Sequence, residues 1–252
     1  MPYIDVHIYS NTTLIAHATA RDLEVGAGAN GNLLVKAVYD PFTLNEGSDE
    51  ARGQGRELLS QYISGWNTSL TLKLHEGSFP GSPALGRALG RFNVSIPTPR
   101  LGSPPKQQPQ PGDDDDPSDE DPATGGRPHF IEDATMHLLT SSATFTLLSP
   151  LRHETLYVTS INATAFYKGD DVGQIEYDLP FAVPPVDAEG KGTVSPRLPV
   201  DWSLGSVGFQ AVRGALGGRL KLSAEAVVGV RVGRWEEEVW FRGKGIGASV
   251  RL

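Results

Sequence analysis

Leu220-Lys221-Leu222-Ser223-Ala224-Glu225-Ala226-Val227-Val228-Gly229-Val230-Arg231-Val232 is the stretch that decides the fold. Leu220, Leu222, Ala224, Ala226, Val228, Val230 and Val232 fall on one side of a period of two, and Lys221, Ser223, Glu225 and Arg231 fall on the other. Side chains alternate across a strand, so this is a long half-buried strand, apolar inward and polar outward, of the kind antiparallel sheets use. The same alternation recurs in both directions. Ile175, Tyr177, Leu179 and Phe181 alternate with Gln174, Glu176, Asp178 and Pro180; Leu70, Leu72 and Leu74 with Thr71, Lys73 and His75; Phe92, Val94 and Ile96 with Arg91, Asn93 and Ser95. One segment breaks phase: Ile161, Ala163, Ala165 and Tyr167 share a face, while Leu156, Val158 and Phe166 fall on the other.

Helical period appears only in short pieces. Leu58, Leu59, Tyr62, Ile63 and Trp66 make one stripe of a helix from about Arg56 to Trp66. Ser82-Pro83 through Gly90 reads as a second short helix, with Ser at the cap, Pro at the first position and Gly at the end. Val207, Gln210, Ala211, Val212, Ala215 and Leu216, stopped by Gly217-Gly218, form the counterpart in the second half. Strands, a Pro-containing loop, an amphipathic helix and an immediate further strand thus occur twice. The expected fold is mainly β, with two β-sandwich modules, each carrying one short inserted amphipathic helix. The expected domains are 1–101 and 129–252, joined by 102–128.

That joining stretch carries Pro-Pro, Gln-Gln and Asp113-Asp114-Asp115-Asp116, and it offers no apolar side chain run to a core. Its composition is that of a disordered acidic linker. An acidic run without turn geometry to fix its carboxylates is not read as a calcium site. The formal charge is −8, and most of it sits here: 102–128 hold 7 acidic and 2 basic residues, against 9 and 8 in 1–101 and 14 and 12 in 129–252. Neither flank offers a basic face, so nucleic acid is excluded as a partner.

The 252 residues contain no cysteine, so disulfides, thiolate chemistry and cysteine zinc sites are all excluded. Yet four of the seven asparagines, Asn11, Asn67, Asn93 and Asn162, stand in Asn-x-Ser/Thr sequons. This marks a protein made for a glycosylating compartment, with those four as the glycan acceptors. Met1-Pro2-Tyr3-Ile4-Asp5-Val6-His7 has no basic region and no signal-length apolar run. No stretch approaches the roughly 20 apolar residues of a membrane span. Use of the sequons then requires an upstream segment, and the chain reads as the tail end of a longer protein or a truncated one.

Motifs with chemical meaning fail on context. Gly26-Ala27-Gly28-Ala29-Asn30-Gly31 matches a dinucleotide fingerprint by letter, but the following Asn32-Leu33-Leu34-Val35-Lys36-Ala37-Val38-Tyr39 is β-like, so a hairpin turn is expected. Gly243-Lys244-Gly245-Ile246-Gly247 lacks phosphate-loop spacing and reads as a bulge or turn. His7, His17, His75, His129, His137 and His153 show no two-ligand helical spacing, so surface or strand-edge positions are expected and no metal is assigned. Asp170-Asp171 sits in the turn Lys168 to Gly173, and no nucleophile elbow is present. No catalytic residue and no cofactor are therefore assigned. Trp235-Glu236-Glu237-Glu238-Val239-Trp240-Phe241 is read as core-packing aromatics, with Glu236 and Glu238 on the wet side. Its alternative is an interaction surface made by Trp235 and Trp240.

Phe130-Ile131-Glu132-Asp133-Ala134, Val158 to Ala165, Leu179-Pro180-Phe181, Leu198-Pro199-Val200-Asp201-Trp202 and the run from Gly218 to Ala248 together resemble the group-two late-embryogenesis-abundant fold. With His75 to Pro80 and Phe92 to Leu101, the whole chain outside the linker resembles the C-terminal region of fungal vacuole-membrane proteins implicated in terminating autophagy. That resemblance implies luminal Ig-like or late-embryogenesis-abundant-like β domains following a membrane helix that this chain lacks. It also implies residence at the vacuole membrane on its luminal side, protein partners of unknown identity, and no catalytic residues. The rival expectations are an apolar-ligand or lipid carrier, with a groove beneath the 205–216 helix, and a glycosidase-type enzyme.

Overall fold

The computed structural model describes residues 3–21, 36–39, 49–98, 101, 130–186, 190–203 and 220–251. The linker at 102–128, the Gly26 to Gly31 turn, His129 and the 205–216 helix lie outside the described residues. The chain divides into two compact units, 1–58 with 68–98 and 59–67 with 99–252. The mainly β, sandwich-class fold expected from the alternation is what the structure has, built on two sheets.

The first unit holds a five-stranded antiparallel sheet in the order β3-β2-β1-β4-β5. Its strands are β1 (Tyr3–Ser10), β2 (Thr13–Arg21), β3 (Lys36–Tyr39), β4 (Ser69–Lys73) and β5 (Asn93–Pro97). Asn11, at φ 53°, and Thr12 make the tight β1–β2 turn, a conformation asparagine tolerates better than most residues. One sheet face is apolar, with Ile8, Ile15, Ala16 and Ala18 buried and Leu58, Leu70 and Leu72 packed on them.

Helix α1 (Asp49–Ile63) begins seven residues before the expected start at Arg56. Gly53 and Gly55 weaken that first stretch, but it is held by Asp49 and Glu50 at the positive helix end, by the fully buried Ala51, and by Thr13 Oγ1 donating to Glu50 Oε1 at 2.9 Å. In β5 the expected burial fails. Phe92, Val94 and Ile96 are 68%, 54% and 38% exposed, because β5 is the sheet edge and pairs only with β4. Alternation shows which face can be buried; burial itself needs a facing layer.

The second unit's sheet runs β11-β7-β6-β15-β14-β8-β9-β13. Its long central strands are β8 (Leu156–Tyr167), β14 (Leu220–Val232) and β15 (Trp235–Arg251). The flanking strands are β6 (Ile131–His137), β7 (Ser142–Leu147) and β9 (Asp170–Tyr177), and β10 (Phe181–Val183) adds to β8. Short strands β11 (Thr193–Val194), β12 (Leu198–Pro199) and β13 (Asp201–Trp202) complete it. The pairing is antiparallel except that Gly247–Arg251 of β15 runs parallel to Asp133–His137 of β6, a pairing that alternation alone does not encode.

The segment Leu198 to Trp202 joins the two ends of this sheet, since β12 pairs with β7 and β13 pairs with β9. The sheet thereby closes on itself and loses exposed edges there. Leu156, Val158, Val228, Val230, Val239 and Phe241 form its core.

The phase break in β8 is a β-bulge, placed by the register shift that pairs Gly229 with Ser160 but Val230 with Val158. The extra residue rotates the strand, so Leu156 and Val158 before it and Ile161 and Ala165 after it all reach one core. Gly229 leaves room opposite: a Cβ there would lie 2.5 Å from Thr159 Oγ1 and closer still to Ser160 Oγ, so both hydroxyls would have to move. The expected bulge at Gly243 to Gly247 is also present, between Leu222 and Ala224 on the partner strand, with Gly245 at φ 70°. The turn between β8 and β9 is shorter than expected: Lys168 and Gly169, at φ 54° and 93°, complete it, and Asp170 and Asp171 already lie on β9.

Candidate functional site

Side chains two apart on a strand share a face, so β1 presents Asp5, His7 and Tyr9 on the side opposite its apolar Ile8. The register sets His7 beside His17 of β2 and Lys73 of β4. Lys73 Nζ lies 4.6 Å from the centre of the Tyr9 ring. Just past β4, the chain turns into a 3-10 turn, Glu76–Ser78, for which His75 is the cap. Gly77 N–H donates to His75 Nδ1 at 3.1 Å, His75 N–H donates to Ser78 Oγ at 2.7 Å, and Ser78 N–H returns to the His75 carbonyl at 3.0 Å. With Nδ1 accepting, the neutral ring carries its proton on Nε2, which donates to Asp5 Oδ2 at 3.2 Å.

This brings together three residues that 70 positions of sequence separate. The His7 and His75 rings stack at 3.8 Å with their planes 17° apart. The metal-ligating atoms of Asp5, His7 and His75 all lie within 4.8 Å of one another. Asp5 Oδ1 is buried and has no hydrogen-bond partner among the described residues. Burial, then the neighbouring His75 and His17, hold the His7 pKa below its ordinary value of 6.5, with Asp5 pulling the other way.

Helix α2 (Pro83–Leu89) holds the capped turn in place. Gly86 and the C-cap Gly90 are four apart on one face and let the helix lie directly on the Leu74 to Glu76 backbone. A Cβ on Gly86 would come within 2.9 Å of the Glu76 carbonyl oxygen, and one on Gly90 within 2.6 Å of that of Leu74. Arg87 Nη1 adds an exposed ion pair to Glu76 Oε1 at 2.6 Å.

The sequence reading placed His75 at a surface or edge and assigned no ligand. Helical His-x-x-x-His spacing is absent, and Asp5-x-His7 is a strand spacing instead. His75 joins them only through the β1–β4 pairing, which no local pattern shows.

The four sequon asparagines are all exposed. Asn11 lies in the β1–β2 turn, where its Nδ2 donates to Gln54 Oε1 at 3.4 Å. Asn67 lies just before β4, Asn93 on the edge strand β5, and Asn162 between Glu176 and Val227 on the outer face of the second sheet. They are spread over the surface and do not form one site.

Trp235 and Trp240 are an odd number of residues apart and so point to opposite faces of β15. Trp235 packs against the core of the second unit. Trp240 meets the edge of Trp66, ring centres 5.3 Å apart, with Arg242 lying 5.7 Å from its centre. The two do not make one aromatic platform, while Glu236 and Glu238 are exposed as expected.

Two further residues escaped the sequence reading. Ser60 and Ser64, one helical turn apart at the end of α1 and both fully buried, accept the backbone N–H groups of Trp240 at 3.1 Å and Arg242 at 2.9 Å. Four helical residues rise about 6 Å and two strand residues about 6.6 Å, so the pairs match in pitch. Inside the second sheet, Ala163 and Ala165 lie beside Ala226 and Ala224 and help to line an apolar cavity of about 80 Å³.

Residues 1–87 match the family model described as the Tag1-like fourth LEA-2 like domain, and residues 123–240 match the Tag1-like fifth LEA-2 like domain. No curated protein matches the chain. With the two sheets described above, the chain is similar over these two stretches to LEA-2-like β domains.

Proposed function

We propose that the chain is a non-catalytic interaction module on the luminal side of a fungal vacuolar membrane protein, where it contributes to terminating autophagy. The observation that carries this reading is the order of the two matches, a fourth domain followed by a fifth of one Tag1-like series. Successive β domains present surface to other proteins and bring no inherited chemistry. The partner is a protein; attachment to the membrane comes from a segment upstream of the two domains. Among the described residues no helix is long and apolar enough to cross a membrane.

Four exposed sequon asparagines support the luminal side, since glycans are added only there. The apolar cavity among the described residues, about 80 Å³, is well below the several hundred that enclosing a drug-sized ligand takes, and the 205–216 helix expected over a carrier's groove lies outside the described residues. The test is to tag the full-length gene product at this end and follow its location. Signal at the vacuole rim, with the tag shielded from protease added outside intact vacuoles, is expected; cytosolic signal contradicts the proposal.

A further inference from the structure

We propose that Asp5, His7 and His75 form a binding site for a divalent first-row transition ion of the zinc class, clipping β1 to the turn that follows β4. Imidazole nitrogen with one carboxylate is the donor set such ions prefer, and three protein ligands with one open position is a common arrangement. In a tetrahedral site with bonds of about 2.0–2.1 Å, neighbouring donor atoms lie roughly 3.3 Å apart. His75 Nε2 and Asp5 Oδ2 already stand at 3.2 Å, and the third donor is within 4.8 Å of both.

A purely structural histidine–aspartate pair would not explain the other carboxylate oxygen. Asp5 Oδ1 is buried and unpartnered among the described residues, which is costly for an acceptor-only group unless something positive reaches it. The scaffold is also firm where a site needs to be. Asp5 and His7 share one face of a strand paired on both sides, and the His75 backbone is held by its two hydrogen bonds with Ser78 and by helix α2.

Binding has a definite consequence for His75. The ion takes the Nε2 lone pair, so the proton now on Nε2 moves through solvent to Nδ1, with no net release. Nδ1 then ceases to accept from Gly77 N–H. The stacked rings also turn out of parallel, so that both lone pairs converge on the ion.

The experiment is calorimetric titration of the full chain with Zn²⁺, alongside amide NMR. The expected result is saturable one-to-one binding with a shifted Gly77 amide. Affinity should fall at least about tenfold in Asp5→Asn and in His7→Gln, which leave the His75 cap intact, and stay unchanged in His17→Ala. Folding of each variant without metal is checked by its melting transition. No saturable binding by the unaltered chain, or affinity unchanged in both Asp5→Asn and His7→Gln, overturns the proposal.

Discussion

His7 shows how far a single residue's chemistry depends on pairing across the sheet. A histidine whose folded pKa lies below its unfolded value binds fewer protons when folded, so its contribution is complete above about pH 6.5 and is lost as pH falls through the folded pKa. The groups facing it are Asp5 on its own strand, His17 on β2, Lys73 on β4 and His75 beyond it. With a chelator present, urea unfolding of the unaltered chain should therefore lose more stability between pH 7 and pH 5 than that of His7→Gln. Equal losses would mean that His7 keeps its ordinary titration. Gly86 is the second residue of consequence. Its missing Cβ faces the carbonyl oxygens of His75 and Glu76, which are backbone and cannot rotate aside. Gly86→Ala should cost about 1–3 kcal/mol in denaturant unfolding as overpacking, whereas a loss below about 0.5 kcal/mol would show that α2 shifts freely.

At the scale of elements, the long strands were the most legible part of the sequence, because a period of two over thirteen residues has no competing reading in β14. The phase break in β8 was also visible, but its meaning was not: a bulge and a strand with two apolar faces look alike until the partner's Gly229 is placed opposite. The start of α1 was hidden by two glycines, and the exposed face of β5 by the absence of any sequence signal for what lies over a strand. Ser60 in α1 and Ser64 just past its end were hidden more deeply, since they accept the N–H groups of Trp240 and Arg242, which are far away in sequence. Removing either hydroxyl takes the partner from a part-buried backbone N–H. Ser60→Ala and Ser64→Ala should each lower the stability of the second unit by about 1–3 kcal/mol, followed by tryptophan fluorescence, since Trp66 and Trp240 are close by. Losses under about 0.3 kcal/mol would show that these N–H groups find water instead.

For the whole molecule, the sequons are the sequence signal that bears on compartment, and the candidate site was not legible at all. Asparagine followed at the right spacing by a hydroxyl residue is a local signal, and the structure leaves all four such side chains exposed. The histidine–aspartate cluster is non-local: its members meet through the order of a folded sheet. The central claim, a luminal module, is tested most directly by the mass of the native full-length protein before and after glycosidase. The account predicts a glycosidase-sensitive mass that falls when Asn67 and Asn93 are both replaced by Gln, because both lie exposed at or near β4 and β5. An unmodified mass at all four asparagines, in protein recovered from cytosol, would contradict it.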